Sequence, residues 1–145
     1  MQVGELLRSK GSSVVSVNPD ARVATAIRML MEHRIGALPV LDHGRLAGIV
    51  GERDIIRALD QRHDDIRGLP VSGVMQRAAT CHAGDELRDV MRRMTGERLR
   101  HLVVLDDHTV AGIISVGDIV KHRLEELELE AGVLRDYVAA QRALS

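Results

Sequence analysis

The sequence predicts an α/β (α+β) protein built from two pseudo-symmetric β-α-β-β-α halves packed face to face, followed by a long C-terminal helix. Three observations predict it. The stretch NPDARVATAIRMLMEHRIGALPVLDHGRLAGIVGERD lies without a gap over HAGDELRDVMRRMTGERLRHLVVLDDHTVAGIISVGD, at a constant offset of 64 residues. Ten positions are identical, among them Leu38/Leu102, Val40/Val104, Gly48/Gly112 and Asp54/Asp118, where unrelated stretches would share about two. Within each copy, apolar spacing passes from a helical period to two short strand-like runs. Finally, the charged segment VKHRLEELELEAGVLRDYVAAQRALS extends well past the second copy. Two copies are too few for a solenoid and suit a face-to-face pair.

Each copy opens on a short β-rich run, Ser13 to Val17 and, more weakly, Ala79 to His82. A helical pattern follows, with apolar positions at Val23, Ala26, Ile27, Leu30 and Met31, and at Leu87, Val90, Met91 and Met94. Asn18 or Asp20 suits the start of the first helix, and Gly84 or Asp85 that of the second. Leu38 to Leu41 and Leu46 to Val50 flank the turn DHGR, and Leu102 to Leu105 and Val110 to Ile114 flank DDHT, so each copy contains a hairpin. A helix closes each copy, over Glu52 to Leu59 and from Val116 onward. The expected division is a first repeat at 8–60, a polar linker at 61–73 containing Gly68, Pro70 and Gly73, a second repeat at 74–123 and the C-terminal helix at 124–145.

Composition excludes several functions. Of 145 residues, 45% are hydrophobic and 28% charged, as in ordinary globular domains. Tyr137 is the only aromatic residue, so the core is aliphatic and no base-stacking platform exists. A net charge of −1 gives no general attraction to nucleic acid. Cys81 is the only cysteine, which leaves no intrachain disulfide and suits a reducing compartment. No apolar run reaches membrane-spanning length, and MQVGELLRSKG lacks the apolar stretch of a signal peptide. The expectation is a cytoplasmic protein that binds neither nucleic acid nor membrane.

The strand-to-helix turn occurs twice, as GIVGERD and GIISVGD. With HRIGALPVLD before the first and RLRHLVVLD before the second, the chain resembles a stand-alone tandem pair of cystathionine β-synthase (CBS) domains, a Bateman module. The resemblance implies clefts between the halves that bind adenosine-containing ligands: AMP, ADP or ATP first, NAD(H) or S-adenosylmethionine next. It implies a ribose-binding role for the motif aspartates and a phosphate contact from the motif hydroxyl. A carboxylate accepts two hydrogen bonds from a vicinal diol, and a helix N-terminus favours an anion. One cleft would be served by Ser115 and Asp118, with Val15, Ser16, Gly36 and Ala37 as its other wall. The second would be served by Asp54, with Thr80, Cys81, Arg100 and His101 opposite. There Gly51 stands in place of the hydroxyl, and Arg53, Arg100 and His101 offer compensating positive charge.

Bland readings stand beside these. Ser115-x-x-Asp118 is also a helix capping box, and exposed basic side chains are usually solvated. Cys81-His82 has no further metal ligands nearby, so no zinc site is expected. No nucleophile–base order and no phosphate-cradling glycine loop appears, so the chain is not expected to be an enzyme. In the last segment Val120, Leu124, Leu127, Ala131, Leu134 and Val138 alternate by four and three, a short seam suited to a second subunit. The function expected is a homodimeric, ligand-sensing regulatory module acting on some regulated protein. The rival is an interaction dimer with vestigial clefts.

Overall fold

The structure is a computed structural model that describes residues 1–11 and 13–144. Its helices are α1 (Val3–Lys10), α2 (Val23–His33), α3 (Glu52–Gln61), α4 (Leu87–Gly96) and α5 (Val116–Leu144). Its strands are β1 (Ala37–Asp42), β2 (Arg45–Gly51), β3 (Thr80–His82), β4 (His101–Asp106) and β5 (Thr109–Ser115). Two short 3-10 turns, Ile66–Gly68 and Val71–Gly73, lie between the halves.

Both expected hairpins form. β1 pairs antiparallel with β2 and β4 with β5, each with a register shift at the same place, after Val40 and after Val104. His43 and Gly44 both take positive φ in the first turn, as a two-residue hairpin matching strand twist requires. The leading strands are weaker than expected. β3 is three residues long and runs parallel to β4, while its counterpart is reduced to a single bridge from Val17 to Val40.

Each half has its own aliphatic core. Val23, Ala26, Leu30, Leu38, Val40 and Val50 fill the first. Leu87, Val90, Met94, Leu102, Val104 and Ile114 fill the second. Two expected core positions fall outside: Met31 is 76% exposed and Met91 43%. Both sit at the edge of the apolar stripe, where a helix packed on a small sheet leaves its flank uncovered.

The helix starts also differ. α2 and α4 begin after Arg22 and Glu86, without a side-chain cap. Asn18 and Asp85 instead close tight turns upstream, accepting from the amides of Asp20 and His82. The first helical amides are satisfied by another segment: Val23 N–H donates to the Leu69 carbonyl and Leu87 N–H to that of Met1.

Those segments cross over. The residues before the second repeat pack on the first, burying Ile66, Val71 and Val74 in its core. The first residues of the chain pack on the second repeat, burying Val3 and Leu6 there. Thus 61–73, read as a polar linker, also contributes core. The crossing is symmetric: Val3 N–H donates to Asp85 O and Gly4 N–H to Ala83 O, as Val71 does to Ala21 and Ser72 to Pro19. It needs Gly48, where a Cβ would lie 2.6 Å from the Gln76 carbonyl oxygen. The exchange ties the halves together, and β5 touches both β1 and β2 between them.

Candidate functional site

The first strand-to-helix turn lines a cleft between the halves; the second lies next to another cleft, whose wall reaches it through Lys10. In the second turn the expected capping box is complete. Ser115 N–H donates to Asp118 Oδ2 at 2.8 Å, and Asp118 N–H donates to Ser115 Oγ at 3.1 Å. In the first turn only half of it exists: Gly51 N–H donates to Asp54 Oδ2 at 2.8 Å, and Gly51 has no atom to accept the return bond. The missing side chain has a steric reason. A Cβ on Gly51 would lie 2.9 Å from the Gly36 carbonyl oxygen and 3.3 Å from Ala37 Cβ. That same carbonyl accepts the amide of Glu52, the first residue of α3.

The carboxylates are held differently. Asp118 Oδ2 also receives Lys10 Nζ at 2.7 Å, and Lys10 further donates to the Ile113 carbonyl. Among the described residues Asp118 Oδ1 has no hydrogen-bond partner. Burial pushes the Asp118 carboxyl up, but the Lys10 ammonium and the Ser115 amide and hydroxyl outweigh it and hold the group below the usual carboxylate range. Asp54 has both oxygens engaged, Oδ2 by Gly51 and Oδ1 by Arg57 Nη1 at 3.1 Å.

The Asp54 cleft, of about 260 Å³, brings together Gly51, Arg53, Asp54, Arg100 and His101, as expected. It also takes Gly36 and Ala37, which the sequence assigned to the other cleft. The reason is that β1 and β2 pair Ala37 with Gly51, so the first repeat's own hairpin lines this site. Thr80 and Cys81 do not line it; Ala79, Arg77 and Arg98 do. Cys81 points the opposite way and is buried in the second core. Burial, with Asp85 adding to it and Arg93 opposing, pushes its thiol up to about 11, so it is protonated and inert. The half-buried Thr80 uses its carbonyl to accept from Arg93.

The other cleft, of about 280 Å³, is lined by Leu7, Lys10, Val15, Ile35 and Ile113 among others. Val15 is where it was expected. Ser16 is half-buried and does not line the cleft, and neither do Ser115 and Asp118, expected to serve it; Lys10 lines it and carries its ammonium to Asp118. Sequence reasoning missed Lys10, which lies outside the repeated block. His101 lines the Asp54 cleft and also feels the charges of Asp118 and Lys10. Its ring stands over Gly36, where a Cβ would lie 3.2 Å from Nε2. Burial lowers the His101 pKa against the pull of Asp118, and Lys10 and Arg100 lower it further.

Among the described residues, no group of three or more His, Cys, Asp or Glu side chains is placed to hold a metal ion. No helix there is long and apolar enough to cross a membrane.

Comparison with known proteins agrees with this architecture. The CBS domain family matches twice, over residues 3–61 and 71–125. These spans include α1 and the crossing segment at Val71. A CBS-domain-containing protein of Agrobacterium tumefaciens is 38% identical, with a TM-score of 0.78 over 84% of this chain and 92% of its own. A CBS domain protein of Pyrobaculum aerophilum, solved in complex with AMP, is 27% identical, with a TM-score of 0.77 over 90% and 99%. The CBS domain pair of the protein MJ0100, solved with 5-methylthioadenosine and S-adenosyl-L-methionine, is 25% identical, with a TM-score of 0.72 over 87% and 98%. Two matches covering most of the chain, on the fold described above, make this protein a member of the CBS domain family, in its tandem-pair form.

Proposed function

We propose that the protein is a regulatory module that binds an adenosine-containing ligand between its two repeats and carries out no chemistry of its own. AMP, ADP and ATP are the ligand class favoured. The observation that carries the reading is Asp118. This carboxylate stands at the start of a helix, with one oxygen held by Ser115 and by Lys10, which lines an interrepeat cleft, and with no hydrogen-bond partner on the other among the described residues. A ribose diol needs such an acceptor. Adenosine compounds bound to two similar CBS pairs support the class. The module is read as a cytoplasmic homodimer acting on another protein, with the exposed seam of α5 as one contact between subunits.

Asp118→Asn is expected to weaken adenine-nucleotide binding by about 1.5–3 kcal/mol, the range for a hydrogen bond to a charged group. Calorimetry giving equal affinities for variant and parent overturns the ribose assignment. A specific observation favours a second reading, an interaction dimer with closed clefts: Lys10 already occupies Asp118. A parent that binds no adenosine compound would support that alternative.

A further inference from the structure

We propose that the Gly51–Asp54 cleft selects a ligand carrying several phosphate-type charges, a nucleoside di- or triphosphate on the reading above, through Arg53, Arg77 and Arg100. Duplication supplies an internal control. At the positions related by the offset of 64, the other repeat has Gly117 and Gly36 in place of Arg53 and Arg100, and at the offset of 68 that relates the crossing segments it has Ser9 in place of Arg77. The fold therefore does not require these arginines. Arg98 also lines the cleft but has an arginine counterpart, Arg34; both take positive φ at a helix end, so Arg98 is less diagnostic.

The three arginines come from separate parts of the chain: the first turn of α3, the crossing segment and the approach to β4. All line one opening of about 260 Å³. Among the described residues, none of Arg53, Arg77, Arg98 and Arg100 has an ion-pair partner. Only Arg57 is neutralised there, by Asp54. The acidic side chains lining the cleft are Glu52 and Asp54, against five arginines. His101 adds no balancing negative charge, and burial disfavours its cationic form. Unpaired guanidiniums around one concave site repel one another, and a multivalent anion relieves that repulsion. Each can bind phosphate oxygens through two parallel N–H donors. The other cleft offers Lys10, already bound to Asp118, so it presents no comparable anion site.

The test is calorimetric titration of the full chain with adenosine, AMP, ADP, ATP and inorganic tripolyphosphate, at low and physiological salt. The variants are Arg77→Gln, Arg100→Gln and the pair together. The expected result is affinity rising at least threefold with each added phosphate and weakening with salt. The double variant should lose tenfold or more for ATP and less than twofold for adenosine. Thermal unfolding of the variants should match the parent, since these side chains are exposed. Affinity independent of phosphate number, or unchanged ATP binding in the double variant, overturns the inference while leaving adenosine binding intact. Tripolyphosphate binding that depends on the arginines, without any adenosine effect, upholds the anion site and instead removes the adenosine reading. Neither adenosine compounds nor tripolyphosphate binding overturns both.

Discussion

Lys10 and Asp118 form an ion pair of 2.7 Å that joins the end of α1 to the start of α5, 108 residues further along the chain. Lys10 sits on the carboxylate that the proposed ribose site requires. The pair is partly solvated, with side chains 32% and 23% exposed, so its contribution to stability is at most about 1 kcal/mol. A diol approaching Asp118 competes with it. Lys10→Met is therefore expected to tighten binding of uncharged adenosine about two- to fivefold, with a stability loss below about 1 kcal/mol. Adenosine is the useful probe because it has no phosphate for Lys10 to attract. Weaker adenosine binding in the variant would show that Lys10 supports the ligand.

Gly51 invites the substitution that would restore the hydroxyl of its counterpart Ser115, and the structure argues against it. The new Cβ would lie 2.9 Å from the backbone oxygen of Gly36, which cannot rotate away and which also holds the amide of Glu52. Gly51→Ser and Gly51→Ala are both expected to destabilise the fold by about 1–3 kcal/mol, the usual cost of overpacking. The serine variant should not gain affinity over the alanine variant. Urea unfolding of both checks the first point; equal stability to the parent would mean that the hairpin yields.

The dependence of stability on pH should show two windows. Burial depresses the His101 pKa in the folded chain, whereas the unfolded chain retains the ordinary value of 6.5. Well above pH 6.5 neither state is protonated and His101 has no effect. As pH falls below that value the unfolded state gains a proton first, so stability drops until the folded pKa is reached. Asp118 acts lower down. Its folded pKa lies below 3.8, so its contribution is present above the ordinary carboxylate range and is lost as pH falls through the folded value. His101→Gln should flatten the melting-temperature curve immediately below pH 6.5 and leave the acid limb in place. The charges that set the His101 shift besides burial are Asp118, Lys10, Arg100 and Glu52. An unchanged slope in His101→Gln would assign that window to another group.

Much of the fold is legible in the sequence because the duplication doubles every local signal. Either hairpin alone is a moderate pattern; both in one register, with the same bulge after Val40 and Val104, fix the strands. The crossing segments were not legible. MQVGELL matches LPVSGVM at an offset of 68 rather than 64, with Val3/Val71 as the only identity. Four additional residues before Val17 break the gapless alignment that revealed everything else. Of the candidate site, the two turns themselves were legible, and the linings of the clefts around them were not. Strand alternation turns Cys81 into the core, although its neighbour Thr80 is half-exposed. Arg77 and Lys10 reach the clefts from the crossing segments, whose path no local pattern discloses.

The last prediction concerns α5. Its start is anchored: Ile119 is buried in the second core and α5 packs against α1 and α4. Beyond that the apolar seam is uncovered within this chain, with Leu124 55%, Leu127 44%, Leu134 62% and Val138 40% exposed. A helix of 29 residues is about 43 Å long, and Ile119 in its first turns is its one buried residue. Burying the seam on a second subunit would gain roughly 25 cal/mol per Å² of apolar surface. Truncation after Arg123 removes the seam and spares Ile119. It should convert a dimer to monomer, or loosen it measurably in light scattering, while each repeat keeps its cooperative unfolding. An equally tight dimer after truncation would move the interface to the repeats. The candidate there is the apolar groove between α2 and α3, where Met31, Ile56 and Leu59 are exposed. Ile56→Asp in the truncated chain then decides the matter: loss of the dimer places the contact on that groove, and persistence excludes it.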